Sequence, residues 1–234
     1  MMRVSNITLA IGVPLTFPWV PSSFFHSFIQ MERPDFIYLY EDSTGPIHEL
    51  RNNLVDKAFD IGATHLLMCD VDQVYHPKTV PTLLAHNLPI VSALVHRRYP
   101  PFDSIMMKLK QLDDSHDIYE SIDDWKDGEL VEVDATGCGC IMYQMDVFKK
   151  MPSPWFKSRQ NLDGFPIGED FGFCQNLKAA GYRIFVDTSV PAGHLATMII
   201  NTATANLYRA MKTAQQKKAL ERALEGVEKD GKNN

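Results

Sequence analysis

Thr64-His65-Leu66-Leu67-Met68-Cys69-Asp70-Val71-Asp72 is the stretch on which the reading of this chain turns. Its apolar run, His65 to Cys69, predicts a short strand covered on both faces, and such strands belong to parallel sheets. Two carboxylates one residue apart break the run off. In open parallel sheets ligands bind in the crevice at the carboxyl ends of the strands, so Asp70 and Asp72 are expected at that rim. Two hard oxygen donors there suit Mg2+ or Mn2+ carrying a phosphate-rich ligand. Asp-x-Asp is a short pattern, and on its own it reads equally as a helix cap at Asp72 and a solvated strand end at Asp70.

Outward from this stretch, strand and helix alternate. Upstream, Ile47 to Ile61 is an amphipathic helix with Leu50, Leu54, Ala58 and Ile61 on its apolar stripe. Before it, Val4 to Val13 predicts the first strand, Pro21 to Met31 a helix, and Phe36 to Tyr40 a second strand. Downstream, Pro77 to His86 predicts a helix and Pro89 to Val95 a buried strand. This alternation is the signature of a doubly wound α/β sheet. Lys108 to Gly128 is polar and acid-rich without a clear period, and reads as an excursion, hairpin or lid. Leu130 to Asp134 predicts a strand leading into Gly137-Cys138-Gly139, and Asp146 to Lys150 a short helix. Gly168-Glu169-Asp170 opens a helix ending near Gly181, Tyr182 to Val186 is the last strand, and His194 follows a Pro191-Ala192-Gly193 turn. A long helix, Lys-rich toward its end, is expected from about Thr202 to Val227, so the chain divides into a domain over 1–200 and a helical tail over 201–234.

Composition sets bounds. Its 234 residues suffice for one domain with a large core, and 45% apolar with 22% charged residues is ordinary for a globular protein. A net charge of -6 gives no global attraction to nucleic acid or anionic lipid. Cys69, Cys138, Cys140 and Cys174 form no two-pair metal pattern and read as small buried residues of a reducing compartment. No run of about 18 apolar residues is present, and Ile7 to Val13 reads as a strand rather than a secretion signal, so a cytoplasmic location is expected.

Four local signals carry chemistry. They are Asp70-Val71-Asp72; Gly137-Cys138-Gly139, whose glycines allow close backbone approach to a ligand or simply a bend; Glu169-Asp170, a carboxylate pair or a helix cap; and His194, a metal ligand or a loop histidine. In this order they resemble the GT-A-fold nucleotide-sugar glycosyltransferases, the family 2-like members especially. Glu49-Leu50-Arg51-Asn52, Pro89-Ile90-Val91-Ser92-Ala93 and Gly168-Glu169-Asp170-Phe171-Gly172-Phe173-Cys174 carry the resemblance further, which spans about Ile7 to His194. It implies a GT-A (Rossmann-like) α/β fold, an open, mostly parallel sheet flanked by helices, with the helical tail outside it.

The resemblance also implies roles. Asp72, with Asp70 and His194, would hold Mn2+ or Mg2+ on the diphosphate of a nucleotide-sugar donor, a UDP-sugar first. Asp70 would contact the ribose or the metal through water. Pro14 and Thr16 lie where the family holds the nucleotide, Gly137 to Gly139 would lie under the donor sugar, and Arg51 would meet the diphosphate or that sugar. Asp170 matches the base of inverting members, with Glu169 orienting the acceptor or capping the helix. Trp155 and Phe156 would form an aromatic acceptor platform, and Arg97 and Arg98 would reach diphosphate or acceptor. The chain is short for the family, which implies no dedicated acceptor domain, and the acceptor stays open among glycan, protein and modified nucleic acid. The tail helix would pack on its own domain, pair two subunits or sit on an acidic surface. Two other readings stand beside this one: a non-catalytic nucleotide-sugar binding module, and a nucleotidyltransferase. The latter usually has a glycine-rich, basic loop after the first strand, where this chain has Pro14-Leu15-Thr16-Phe17-Pro18.

Overall fold

The computed structural model describes residues 7–111, 117–160 and 166–213. In chain order the elements are β1 (Leu9–Leu15), α1 (Ser22–Gln30), β2 (Phe36–Asp42), α2 (Ile47–Asp60), β3 (His65–Cys69), β4 (Gln73–Val74), α3 (Thr79–Ala85) and β5 (Ile90–Val95). They continue with β6 (Met107–Gln111), β7 (Asp117–Ser121), β8 (Leu130–Val133), β9 (Cys140–Gln144), α4 (Asp146–Lys149), β10 (Arg159–Gln160), β11 (Pro166–Ile167), α5 (Glu169–Ala179) and β12 (Ile184–His194). The chain divides into two compact units, Met1–Leu195 and Ala196–Asn234.

The first unit is built on one mixed sheet in the order β2-β1-β3-β9-β5-β12-β4, with β8 also pairing with β12. Strands β1, β2, β3, β5 and β12 run one way, and β4, β8 and β9 run against them. The sheet is therefore open and mostly parallel, as expected. Side chains alternate between two apolar layers, as a period of two requires. Ala10, Leu66, Met68, Ile141 and Tyr143 pack with Leu54 and Ala58 of α2 and Phe173 and Leu177 of α5. Leu9, Ile11, Leu67, Cys69, Cys140 and Met142 pack with Phe24 of α1 and Val80 and Leu83 of α3. Helices thus cover both faces. That is why the stretch around Leu66 and Leu67 is apolar at every position.

The structure departs from the sequence expectations in three places. Alternation predicts a plain doubly wound sheet, yet β9 enters antiparallel between β3 and β5, pairing Cys69 with Cys140 and Ser92 with Ile141. It makes its hydrogen bonds to strands distant in sequence, so local periodicity carries no sign of its direction. The last strand does not stop near Val186. A register shift between Asp187 and Pro191 absorbs the irregular residues, and β12 runs on through Pro191-Ala192-Gly193. His194 is consequently the last residue of a strand, paired with Gln73 of β4, rather than a residue after a turn. The third departure is β1, which continues through Pro14 and Leu15 against Glu41 and Asp42 of β2; Val4–Asn6 of its expected start lie outside the described residues.

The unassigned polar segment contains an antiparallel pair, β6 with β7, Met107 opposite Ser121. In the second unit, residues 202–213 are helical, and Asn201 caps them by accepting the N–H groups of Ala203 (2.9 Å) and Thr204 (3.2 Å) on its side chain. The remainder of the expected tail helix lies outside the described residues. Among the described residues no helix is long and apolar enough to cross a membrane.

Candidate active site

The chain leaves β3 under tight control. The Asp70 N–H donates to the Gly139 carbonyl at 2.9 Å, and the buried Tyr75 hydroxyl donates to the Asp70 carbonyl at 2.6 Å. This seam brings β9 against the end of β3, and only glycine fits at 139. A Cβ there would lie 1.9 Å from Gln73 Nε2 and 3.1 Å from Asp70 Oδ2. Gln73 is itself buried and cannot swing into solvent to make room.

Arg51 of α2 reaches the same point from the helix layer. Its guanidinium donates from Nη2 to both oxygens of Asp70 (3.0 and 2.9 Å) and from Nη1 to Glu169 Oε1 (3.0 Å), with the side chain only 5% exposed. Burial would lower the basicity of Arg51, but the charges of Asp70, Glu169 and Asp170 outweigh it and hold the guanidinium fully protonated. Burial pushes the Asp70 carboxyl up, against the opposing pull of Arg51. Next to Arg51, the Asn52 side chain accepts the N–H groups of Trp155 and Phe156 (3.0 Å each) and donates to the Phe156 carbonyl (2.9 Å). Two adjacent residues of α2 therefore tie down the end of β3, the start of α5 and the loop at 155–156.

Asp72 is placed differently. Its Oδ2 lies 3.3 Å from His194 Nε2 and 2.8 Å from Arg98 Nη1. The other ring nitrogen of His194, Nδ1, lies 2.9 Å from the His96 carbonyl. A carbonyl can only accept, so Nδ1 carries a proton; the Asp72 carboxylate also only accepts, so Nε2 donates to it in this arrangement and the ring is protonated, and loss of the Nε2 proton would turn that lone pair toward a cation beside Asp72. Burial would raise the Asp72 carboxyl, but His194 and Arg98 overcome it and hold it below the usual carboxylate range. Through the same contact, the Asp72 hydrogen bond raises His194.

At the start of α5, Asp170 turns its carboxylate back to its neighbour, Oδ1 accepting the Phe171 N–H at 2.7 Å. Gly168 provides the space, since a Cβ there would lie 2.6 Å from Asp170 Oδ1. Burial, then the charge of Glu169, push the Asp170 carboxyl up to about 6, with Arg51 pulling the other way. Gly137 borders this carboxylate; a Cβ built on it would stand 3.8 Å from Asp170 Oδ2.

Several expected site residues turn out otherwise. Asp70, Asp72 and His194 do not form one metal set: Asp70 is spent on Arg51, and among the described residues no three His, Cys, Asp or Glu side chains are grouped to hold a metal ion. What fits a divalent cation is the smaller set Asp72 and His194, a carboxylate oxygen and a ring nitrogen facing one another. Arg51 is neither a solvated helix residue nor free for a diphosphate, because its charge is committed to two carboxylates. Trp155 and Phe156 are not an open platform. They are 6% and 0% exposed, packed edge-on or tilted against Phe148, Phe173 and Phe59, with the Trp155 ring N–H donated to the Phe148 carbonyl. The Cys138 side chain is buried against Tyr143, so only its backbone lies in the glycine segment. Pro14 and Thr16 sit at the carboxyl end of β1, where Gly12 pairs with Met68 two residues short of Asp70, and Thr16 is exposed. Arg97 is exposed and Arg98 engages Asp72. Gln73, Tyr75 and the His96 carbonyl are structural partners that sequence reading missed, and Asn52, quoted with Arg51, has no role in that reading. Nothing in their spacing marks them.

No protein-family model matches the chain, and no curated protein matches it in sequence. Solved structures do. The crystal structure of A197 from STIV superposes with a TM-score of 0.58 at 16% identity, covering 82% of this chain and 87% of that one. GalNAc-T7, solved with UDP, GalNAc and Mn2+, superposes with a TM-score of 0.57 at 11% identity, covering 82% of this chain and 44% of that one. The fold is the GT-A fold. At these identities the likeness is one of fold, and this chain spans less than half the length of GalNAc-T7. Within the GT-A sheet, Asp70 and Asp72 follow the carboxyl end of β3 and His194 ends β12, the crevice where open α/β sheets place their ligands; Gly139 enters the antiparallel β9 hydrogen-bonded to Asp70, and Glu169 at the start of α5 is joined to Asp70 through Arg51.

Proposed function

We propose that this chain is a metal-dependent glycosyltransferase that moves a sugar from a nucleotide-diphosphate donor, a UDP-sugar first, to an acceptor hydroxyl with inversion. One juxtaposition carries the reading. A half-buried carboxyl raised to about 6, Asp170, stands at the same end of a GT-A sheet as the Asp72–His194 pair, and Arg51 bridges the two regions through Asp70 and Glu169. Fold alone would not carry it, because function lives in the site.

Asp72 and His194 would hold the divalent cation, Mn2+ or Mg2+. When bound, that cation supplies neutralisation of the charge on the departing nucleoside diphosphate. The chain's own residues do the rest. Asp170 takes the proton of the acceptor hydroxyl as its oxygen bonds to the anomeric carbon and the bond from that carbon to the diphosphate breaks, the electron pair leaving with the diphosphate. A carboxyl near 6 is ionised at neutral pH and still a usable base. Glu169, held by Arg51, fixes the first turn of α5 and so the direction of Asp170. Gly137 and Gly139 leave the floor open to a sugar, and Pro14 and Thr16 edge the nucleotide. The nucleotidyltransferase reading lacks the basic glycine-rich loop after β1.

The test is calorimetric titration of the protein with a panel of nucleotide sugars, with and without Mn2+, alongside detection of free nucleotide. Metal-dependent binding of one donor, with slow hydrolysis that disappears in Asp72→Ala, is the expected result. Binding of no donor under either condition would remove the reading.

A further inference from the structure

Asp72 Oδ2 is contacted twice, by His194 Nε2 and, closer, by the Arg98 guanidinium at 2.8 Å. The cation site inferred above is thus already held by a cation of the protein's own. Arg98 lies three residues beyond β5 on an exposed loop, so its long side chain can leave Asp72 without disturbing the sheet. Arg51 offers no such freedom. It is buried, makes three hydrogen bonds and cannot be lent to a ligand. Arg98 is therefore the charged donor beside Asp72 that is free to meet an anion.

We propose that Arg98 is an exchangeable counter-ion: it holds Asp72 before the donor arrives, yields that carboxylate to the divalent cation, and moves to the donor's diphosphate. This rests on the Asp72–His194 reading of the metal site. Charge favours the exchange in both states. Without ligand, Arg98 and the His194 ring together hold Asp72. With ligand, a divalent cation replaces both at the carboxylate, and Arg98 keeps its charge in the site beside the diphosphate. Without Arg98, each state carries one positive charge fewer, so the site would bind metal more readily and diphosphate less readily. A planar guanidinium also suits bidentate capture of phosphate oxygens. Arg98 thereby couples the two ligands: metal binding releases the group that completes the diphosphate site.

The coupling predicts effects of opposite sign from one substitution. Free Mn2+ is measured by electron paramagnetic resonance during titration of the full chain, first alone and then with UDP. In Arg98→Ala, Mn2+ alone binds about two- to fivefold tighter, the range an exposed ion pair contributes. With Mn2+ saturating, UDP binds about tenfold weaker than to the unsubstituted protein. Arg97→Ala removes an equal charge one residue away and reproduces neither effect at that size. Unchanged or weaker Mn2+ binding in Arg98→Ala overturns the exchange, as does unchanged UDP affinity. Absence of Mn2+ binding in every variant, with and without UDP, overturns the metal-site reading itself and the exchange with it.

Discussion

At the scale of single residues, Asp170 combines a functional with a thermodynamic prediction. Its carboxyl is raised to about 6 by burial and by Glu169, whereas an unfolded-chain aspartate titrates near ~3.9. The folded state therefore holds the proton over a range in which the unfolded state has lost it. This group costs nothing below about pH 4, and its cost grows as pH rises through 6 and is complete above it. Asp170→Asn keeps the acceptor for the Phe171 N–H and removes the charge. It is expected to be more stable than the unsubstituted protein by about 2 kcal/mol at pH 7.5, with the difference vanishing near pH 4, as chemical denaturation at the two pH values would measure. A stabilised variant that is catalytically dead is what a residue kept for function produces. Asp70, Asp72 and Asp170 could be picked from the sequence because each follows or lies in the first turn of a readable element, whereas His194 reads from sequence as a residue after a turn and ends β12. Their partners could not. The commitment of Arg51 to two carboxylates, the Nδ1 proton of His194 held by the His96 carbonyl, and the burial of Trp155 and Phe156 all depend on residues far apart in the chain.

At the scale of elements, α2, β3 and α5 meet at the Arg51 guanidinium. Removing it with Arg51→Met leaves Asp70 and Glu169 in a mostly buried setting without their counter-ion. Loss of one member of such a buried pair costs about 3–5 kcal/mol. The thermal midpoint should drop by many degrees, and the triple change Arg51→Met with Asp70→Asn and Glu169→Gln should recover most of the loss. Failure of the triple variant to recover would mean that the packing of α2, not the charge, is what Arg51 supplies. β3 itself was legible to the residue, His65 to Cys69, because both of its faces are covered and its ends are marked by Thr64 and Asp70. β9 was not legible as an antiparallel insertion, and β12 was read short. In both cases hydrogen bonds to distant strands override the local pattern of apolar and turn-forming residues.

At the scale of the whole molecule, the GT-A fold makes the crevice, and a few carboxylates, one histidine and two arginines give it a chemical character. The unit ending at Leu195 carries all of these residues. The fold class followed from alternating strands and helices around one apolar strand, while the division of labour inside the Asp-x-Asp pair did not. Asp70 belongs to the frame through Arg51, and Asp72 faces His194 at the open rim. We propose that this rim transfers glycosyl groups with Asp170 as base. The most direct measurement of this is nucleotide release from the bound nucleotide sugar, in the presence of Mn2+ and across pH 5 to 8, for the unsubstituted protein and Asp170→Asn. The expected result is a rate that rises with pH through about 6 and at least a hundredfold loss in Asp170→Asn with donor affinity kept within about threefold, in line with general-base contributions of about 10²–10⁴. Turnover in Asp170→Asn equal to that of the unsubstituted protein, with the same pH profile, would contradict it.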